Sequence, residues 1–270
     1  MLLMLTYCLV VWSAVFLALP VHTWGLRILY ALLFYLPLFL LAASLLRTIT
    51  TPPGYPHPRY HLPPSIRLSQ PRTAALRSAL VELVTKRNLY LNEVEGGREF
   101  RCCPTCRLLK PDRTHHCSSC QRCILRFDHH CPFLDTCIGF ANLKLFLLTL
   151  LWTSISSVVG SAIAIPYLIL LWGQLQRPAA TAMVGFVLIT SAWAMIVFFA
   201  AYTCQHVCRN TTTLEESFSI FGDGNPYDLG RWANFKQVFG DRKLLWLLPV
   251  RSEQTDGHVF PIGHCNSSRL

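Results

Sequence analysis

The sequence predicts an all-α polytopic membrane protein in which four transmembrane helices are interrupted by a compact cysteine-rich module. Two observations carry this. Residues 2–20, 26–49, 145–172 and 182–208 are almost free of charge, and each stretch is long enough to cross a bilayer. Between the second and third, eight of the twelve cysteines crowd into residues 102–137.

The four stretches lack the amphipathic pattern of core helices, and Arg27 and Arg47, near the two ends of the second, are the only charged residues in any of them. The first has no basic segment before it and no small-residue cleavage site, so it reads as a retained helix rather than a signal peptide. Charge then sets the orientation. Residues 47–144 hold 15 of the 24 Lys and Arg, the segment from Arg209 onward holds 7 more, and all 14 acidic residues lie in the same two segments. The other connections, 21–25 and 173–181, are short, with Arg177 alone in the second. Positive-inside bias therefore places the module, the tail and both chain ends in the cytosol. There the sequons at Asn210 and Asn266 would stay bare. The net charge of +10 suits anionic lipid head groups or an anionic substrate, with no need for nucleic acid.

The chain divides into transmembrane helices 1 and 2 (1–49), a cytosolic linker (50–100), the cysteine-rich domain (101–142), helices 3 and 4 (143–208) and a cytosolic tail (209–270). The linker opens with TPPGYPHPRYHLPPS, too rich in proline for a helix. A helix follows, with Leu76, Leu80, Leu83 and Val84 on one face and Arg77, Lys86 and Arg87 nearby. It would lie at the membrane interface or be solvated, and end at Gly96 and Gly97. In the tail, Trp232, Phe235 and Phe239 fall at helical spacing and predict a short amphipathic helix against the module or the membrane. Beyond the paired cysteine clusters no internal repeat is expected.

A reducing cytosol argues against disulfides and for metal. The spacing runs Cys103-x2-Cys106, His116-Cys117-x2-Cys120-x2-Cys123, then His129, His130, Cys131 and Cys137. Thiolates mixed with imidazole in C-x2-C pairs suit tetrahedral zinc, which would supply much of the folding energy of so small a module. Two closed sites need eight ligands, whereas eight cysteines and His115, His116, His129 and His130 leave four groups over. Spacing does not say which. It does leave room for a spare thiol beside a spare imidazole and Asp128, a setting that favours a nucleophile.

The block CCPTCRLLKPDRTHHCSSCQRCILRFDHHCPFLDTCIGFAN closely resembles the cysteine-rich domain of the DHHC-family protein S-acyltransferases (palmitoyltransferases). Pro53 and Gly54 resemble the family's D-P-G motif, with Pro52 in place of the acid; Thr212, Thr213 and Glu215 resemble T-T-x-E; Asn234 resembles the tail-motif asparagine. The resemblance implies one zinc on Cys103, Cys106, His116 and Cys123 and a second on Cys117, Cys120, His130 and Cys137. It implies Cys131 as nucleophile, His129 as its base and Asp128 as the group holding the imidazole. Acyl-CoA, palmitoyl-CoA above all, would be the donor. Its phosphates would favour Lys110, Arg113 and His115, and Phe133 stands where the family carries tryptophan. Arg122 would face coenzyme A or lipid head groups. Thr136 replaces a family asparagine, and Cys102 would be a bystander or a site of modification.

The implied partners are the lipid bilayer, acyl-CoA and cytosolic-face proteins with membrane-proximal cysteines. The implied location is the Golgi or endoplasmic reticulum, with the plasma membrane as a further option. Thr153, Ser154, Ser156, Ser157 and Gly160 would either leave room for an acyl chain or pack helices closely. Cys204 and Cys208 would serve helix packing or be acylated. The rival class is a catalytically silent, zinc-stabilised docking protein.

Overall fold

The computed structural model describes residues 24–68, 73–91, 99–174, 179–221, 224–252 and 255–263. The first hydrophobic stretch, Gly96, Gly97, Arg177 and Asn266 lie outside these residues. The chain forms two compact units, one of Met1–Arg47, Leu145–Cys204 and Leu247–Pro249, the other of Thr48–Lys144, Gln205–Trp246 and Val250–Leu270.

The first unit is helical. α1 (Trp24–Thr50) enters it with an apolar surface that no described residue covers: Leu29, Leu32, Leu36 and Phe39 are all exposed. Such a face suits lipid rather than water. Two further long helices carry the third and fourth hydrophobic stretches, and their labels follow those of the shorter elements between. By length and composition, Ile28–Thr50 and Leu143–Gly160 are the two segments among the described residues that suffice to cross a membrane.

The second unit begins where α1 ends. Pro53 and Gly54 are bound through their carbonyls, which accept from Ala141 N–H at 2.9 Å and Leu125 N–H at 3.0 Å. Gly54 has φ +102, a conformation that glycine adopts without strain. A 3₁₀ turn at Pro58–Tyr60 then buries Tyr60 completely. α2 (Ala74–Arg87) starts where the Thr73 hydroxyl accepts from Leu76 N–H, and stops at Asn88 in the left-handed conformation. It therefore ends earlier than Gly96 and Gly97 suggested, because asparagine also tolerates that conformation. Its Leu76, Leu80 and Leu83 pack with Tyr60, Phe100 and Leu109 in one core, so this face is neither solvated nor given to lipid.

The cysteine-rich module is not helical, which corrects the all-α expectation. It consists of three antiparallel hairpins: β1 (Cys102–Cys103) with β2 (Leu108–Leu109), β3 (His115–Cys117) with β4 (Arg122–Ile124), and β5 (His129–Cys131) with β6 (Thr136–Ile138). The turns contain Arg107, Gln121 and Asp135 at φ 48°, 52° and 48°. After the third hairpin the chain enters α3 (Leu143–Gln174), and later α4 (Ala179–Arg209), a helix of 31 residues containing the fourth hydrophobic stretch. Along α3 the hydroxyls of Thr149, Thr153, Ser154 and Ser157 each donate to the carbonyl four residues back. Beyond α4, α5 (Thr213–Ser217) opens with a capping box between Thr212 and Glu215. α6 (Arg231–Phe239) buries Asn234 and Val238. The predicted aromatic ladder is present, but Phe235 stacks on Phe239 at 4.2 Å and meets Trp246 at 5.0 Å, while Trp232 is exposed.

Candidate metal centres and thiol site

The three hairpins are copies of one device. Cys103, Cys117 and Cys131 follow one another at intervals of fourteen residues, as do Cys106, Cys120 and Leu134 at the next turn position. Cys106 N–H points at Cys103 Sγ (3.3 Å) and Cys120 N–H at Cys117 Sγ (3.4 Å). In the third hairpin Leu134 N–H donates to Cys131 O at 3.2 Å, and the Leu134 and Phe133 N–H groups also favour the Cys131 thiolate. The cross-strand pairs also correspond, with His116 opposite Cys123 and His130 opposite Cys137.

This arrangement closes two tetrads. The turn of the first hairpin (Cys103, Cys106) faces the cross-strand pair of the second (His116, Cys123), and the turn of the second (Cys117, Cys120) faces the pair of the third (His130, Cys137). Within each set the ligand atoms lie within 4.8 Å of one another. His116 Nδ1 is 3.6, 3.2 and 3.9 Å from Cys103, Cys106 and Cys123 Sγ, and His130 Nδ1 is 3.5 and 3.7 Å from Cys120 and Cys137 Sγ. A tetrahedron with Zn–S about 2.3 Å and Zn–N about 2.0 Å has S···N edges of roughly 3.5 Å. Both sets therefore fit such a metal. Burial, then the neighbouring thiols, pushes Cys123 and Cys137 well above the ordinary thiol range. A bound cation would relieve that crowding.

The third turn has no fourth hairpin to face, because α3 begins at Leu143. Cys131 is thus left outside both tetrads, buried, with an imidazole beside it. His129 Nδ1 lies 2.6 Å from Asp128 Oδ2, and its ring is hydrogen-bonded to the Cys131 thiol. Burial alone would raise the Cys131 thiol, but the His129 bond and the Leu134 and Phe133 N–H groups bring it below its ordinary value. Burial would lower His129, but Asp128 and Cys131 outweigh it and hold the imidazole at about 9. Burial opposes the Asp128 carboxylate as well. It is overcome by His129 and by Thr213, whose N–H and hydroxyl donate at 2.9 and 3.0 Å. These shifts favour a thiolate–imidazolium pair braced by a carboxylate.

Thr213 is in turn fixed by a buried network. Glu215 closes the cap of α5 and takes Arg113 Nε and Nη2 at 2.7 Å each. Arg113 Nη1 and Nη2 also donate to Asn210 Oδ1 and O, and its plane lies 4.7 Å from the Tyr227 ring centre. Arg113 was expected at coenzyme A phosphates. It is 1% exposed with each guanidinium nitrogen engaged, so it braces the fold and offers no anion contact. His115, expected beside it, is drawn down to about 4 by burial, with Arg101 and Lys110 adding to it, which favours a neutral ring. Lys110 is half-buried, while Phe133 projects from the third turn, 84% exposed. Asn234 is buried in the tail, donating to Cys208 O at 2.8 Å and Asp228 Oδ1 at 2.6 Å. Cys204 is exposed, and Cys102 and Cys208 are half-buried.

Sequence reading passed over Gly139 and Asn142. A Cβ on Gly139 would meet Ile124 Cγ2 at 2.7 Å and Leu125 O at 2.9 Å. Asn142 is fully buried, accepting from Gly139 N–H at 2.9 Å and donating to Cys137 O at 2.9 Å, which ties the third hairpin to α3.

Apolar helices bearing a twofold Cys3His module define a membrane protein with a cysteine-rich, metal-binding centre. The comparisons give that class a family. Residues 97–219 match the model of the DHHC palmitoyltransferase domain. The chain is 34% identical to palmitoyltransferase ZDHHC15 of Rattus norvegicus over 90% of this chain and 74% of that protein. It is 34% identical to palmitoyltransferase ZDHHC2 of Danio rerio (89% and 69%) and 36% identical to palmitoyltransferase ZDHHC20 of Homo sapiens (88% and 67%). The chain belongs to the DHHC palmitoyltransferase family.

Proposed function

We propose that this chain is a protein S-palmitoyltransferase that carries the acyl group on Cys131. The observation that supports it is the third turn, where the repeated cysteine is paired with His129 and Asp128 instead of a tetrad. In the first half-reaction the Cys131 thiolate attacks the thioester carbonyl of acyl-CoA. The C–S bond to coenzyme A breaks, and the departing thiolate takes the proton held on His129. In the acyl-enzyme the thiolate charge that raised His129 is gone, so the neutral imidazole is available as a base. It removes the proton of a substrate cysteine, whose thiolate attacks the acyl-enzyme and expels Cys131, restoring the ion pair. Asp128 holds the ring orientation through both steps.

Zinc is the metal that the two tetrads suit, in a structural role with four protein ligands each and no open position. Four transmembrane helices place the module, residues 101–142, between the second and third on the cytosolic face, with residues 50–100 as linker and 209–270 as tail. The exposed Phe133 suits the acyl chain or the membrane surface, and Lys110 the phosphates of coenzyme A. The substrates are membrane-proximal cysteines of cytosolic-face proteins. Incubating the purified chain with labelled palmitoyl-CoA tests the reading. Label should attach to Cys131 through a bond cleaved by neutral hydroxylamine, and pass to a cysteine peptide after the donor is removed. Label that resists hydroxylamine, or persists in Cys131→Ser, would refute it.

A further inference from the structure

The bracing of the thiol site ends on Arg113, and a stretch of the tail far from that site in sequence covers Arg113. Besides the Tyr227 ring, the guanidinium lies 5.2 Å from the centre of the Phe260 ring. Phe260 is 2% exposed, and meets Tyr227 at 6.1 Å and Phe140 at 6.0 Å, both edge to face. Two aromatic rings against one guanidinium favour its charge and keep water off it, which strengthens its pairing with Glu215.

Phe260 belongs to residues 256–263, which are held at three places. Gly257 has φ +77, and a Cβ there would meet the Phe140 ring at 2.6 Å, so the backbone lies directly on that ring. The buried His258 side chain stacks on the Tyr60 ring at 5.1 Å with an interplanar angle of 13°. Its Nε2 accepts from His57 N–H at 2.9 Å and its Nδ1 lies 3.0 Å from Asp256 O, which fits a neutral ring protonated on Nδ1. Beyond Phe260, Gly263 N–H donates to Pro226 O at 2.8 Å, next to the Tyr227 that also covers Arg113. The segment is thus tied to the linker, to the chain just after the third hairpin and to the tail before α6, with the Phe260 ring between these ties.

We infer that residues 256–263 form a strap that positions the thiol site, with Phe260 as the positioning residue and His258 as its anchor on the linker. The path is a chain of contacts. Phe260 shields Arg113, and Arg113 holds both carboxylate oxygens of Glu215. Glu215 caps α5 at Thr212, and the next residue, Thr213, donates its N–H and hydroxyl to Asp128 beside His129. Without the ring, water reaches the Arg113–Glu215 pair, the cap loosens and Asp128 loses its donors. The effect on Cys131 rests on the transferase reading; the hold on Thr213 does not.

Amide hydrogen exchange and the rate of Cys131 acylation, both on the purified full chain, test this. Phe260→Ala should speed exchange several-fold in residues 212–216 while the hairpin amides stay as in the wild type. It should also slow acylation several-fold per folded chain. Combined with Thr213→Val it should slow acylation by less than the product of the two single effects, because both act on Asp128. Phe260→Leu keeps an apolar cover and should restore most of the loss. His258→Ala should give the same changes more weakly, and Ile262→Ala, at an exposed side chain on the strap, should give none. If Phe260→Ala does not accumulate, Phe260→Leu and His258→Ala decide. Unchanged exchange at 212–216, equal acceleration throughout the module, or effects that multiply with Thr213→Val would each overturn the inference. A wild type that takes no hydroxylamine-labile label would refute the transferase reading alone, since the exchange result stands without it.

Discussion

The second and third hairpins have the same length, the same cross-strand His–Cys pair and the same N–H groups aimed at the first cysteine of the turn. They differ in what stands at the next turn position. Cys120 completes a metal pair with Cys117, whereas Leu134 follows Cys131 and no further hairpin supplies an opposing His and Cys. In the second hairpin the thiolates face a site for a cation. In the third, the imidazolium of His129 and two backbone N–H groups stand in for that cation. A thiolate stabilised by metal coordination is a poor nucleophile, and one stabilised by a removable proton and two N–H groups is a good one. The difference teaches that leaving one repeat of a metal-binding scaffold without its partner frees that repeat's cysteine from the tetrads, which is where the proposed nucleophile stands.

That comparison can be broken most severely at Glu215. Glu215→Ala would leave Arg113 buried and unpaired, a loss of about 3–5 kcal/mol. Both kinds of hairpin should fail together, seen as poor accumulation and a collapsed unfolding midpoint. Asp128→Asn should instead spare the metal hairpins and disable the third. Without the carboxylate His129 falls and Cys131 rises, so the acid limb of acyl-enzyme formation should move to higher pH. Its maximal rate should drop by roughly 10²–10⁴-fold, by analogy with a triad that has lost its acid. The same groups set the pH window of the wild type. His129 is raised on folding, so the stability it contributes is full below its unfolded pKa and is lost as pH rises through about 9. Acyl-enzyme formation should therefore fall on the alkaline side near that value, measurable by quenched-flow labelling.

Gly139→Ala is a gentler test, because its Cβ would press on Ile124 and on backbone. It should cost about 1–3 kcal/mol, read from unfolding, with the metal content unchanged. Thr213→Val removes one hydroxyl donor from Asp128 and keeps the N–H donor. The expected loss is about 1 kcal/mol, or five- to tenfold in acylation rate, with a small upward shift of the acid limb.

Much of this organisation was legible in the sequence, and what was missed has physical reasons. The second and third hydrophobic stretches stood out by length and missing charge, and α1 and α3 carry them. Ligand counting reached two tetrads with groups to spare, and the resemblance proposed the sets that the geometry brings together. The hairpins were invisible because strands of two or three residues have no periodicity to detect. Arg113 was misread because its partner Glu215 is 102 positions away, and a lone arginine near a site suggests an anion until its burial is known. The fourteen-residue spacing of Cys103, Cys117 and Cys131 was a missed signal, masked by the leucine that replaces cysteine at position 134.

Zinc content per chain, measured on matched Cys117→Ser and Cys131→Ser proteins, tests the central comparison most directly. The two cysteines occupy the same position in successive hairpins. Cys131→Ser should keep two zinc ions while losing hydroxylamine-labile acylation, and Cys117→Ser should lose at least one. Loss of a zinc ion from Cys131→Ser, or its full retention in Cys117→Ser, would contradict the account.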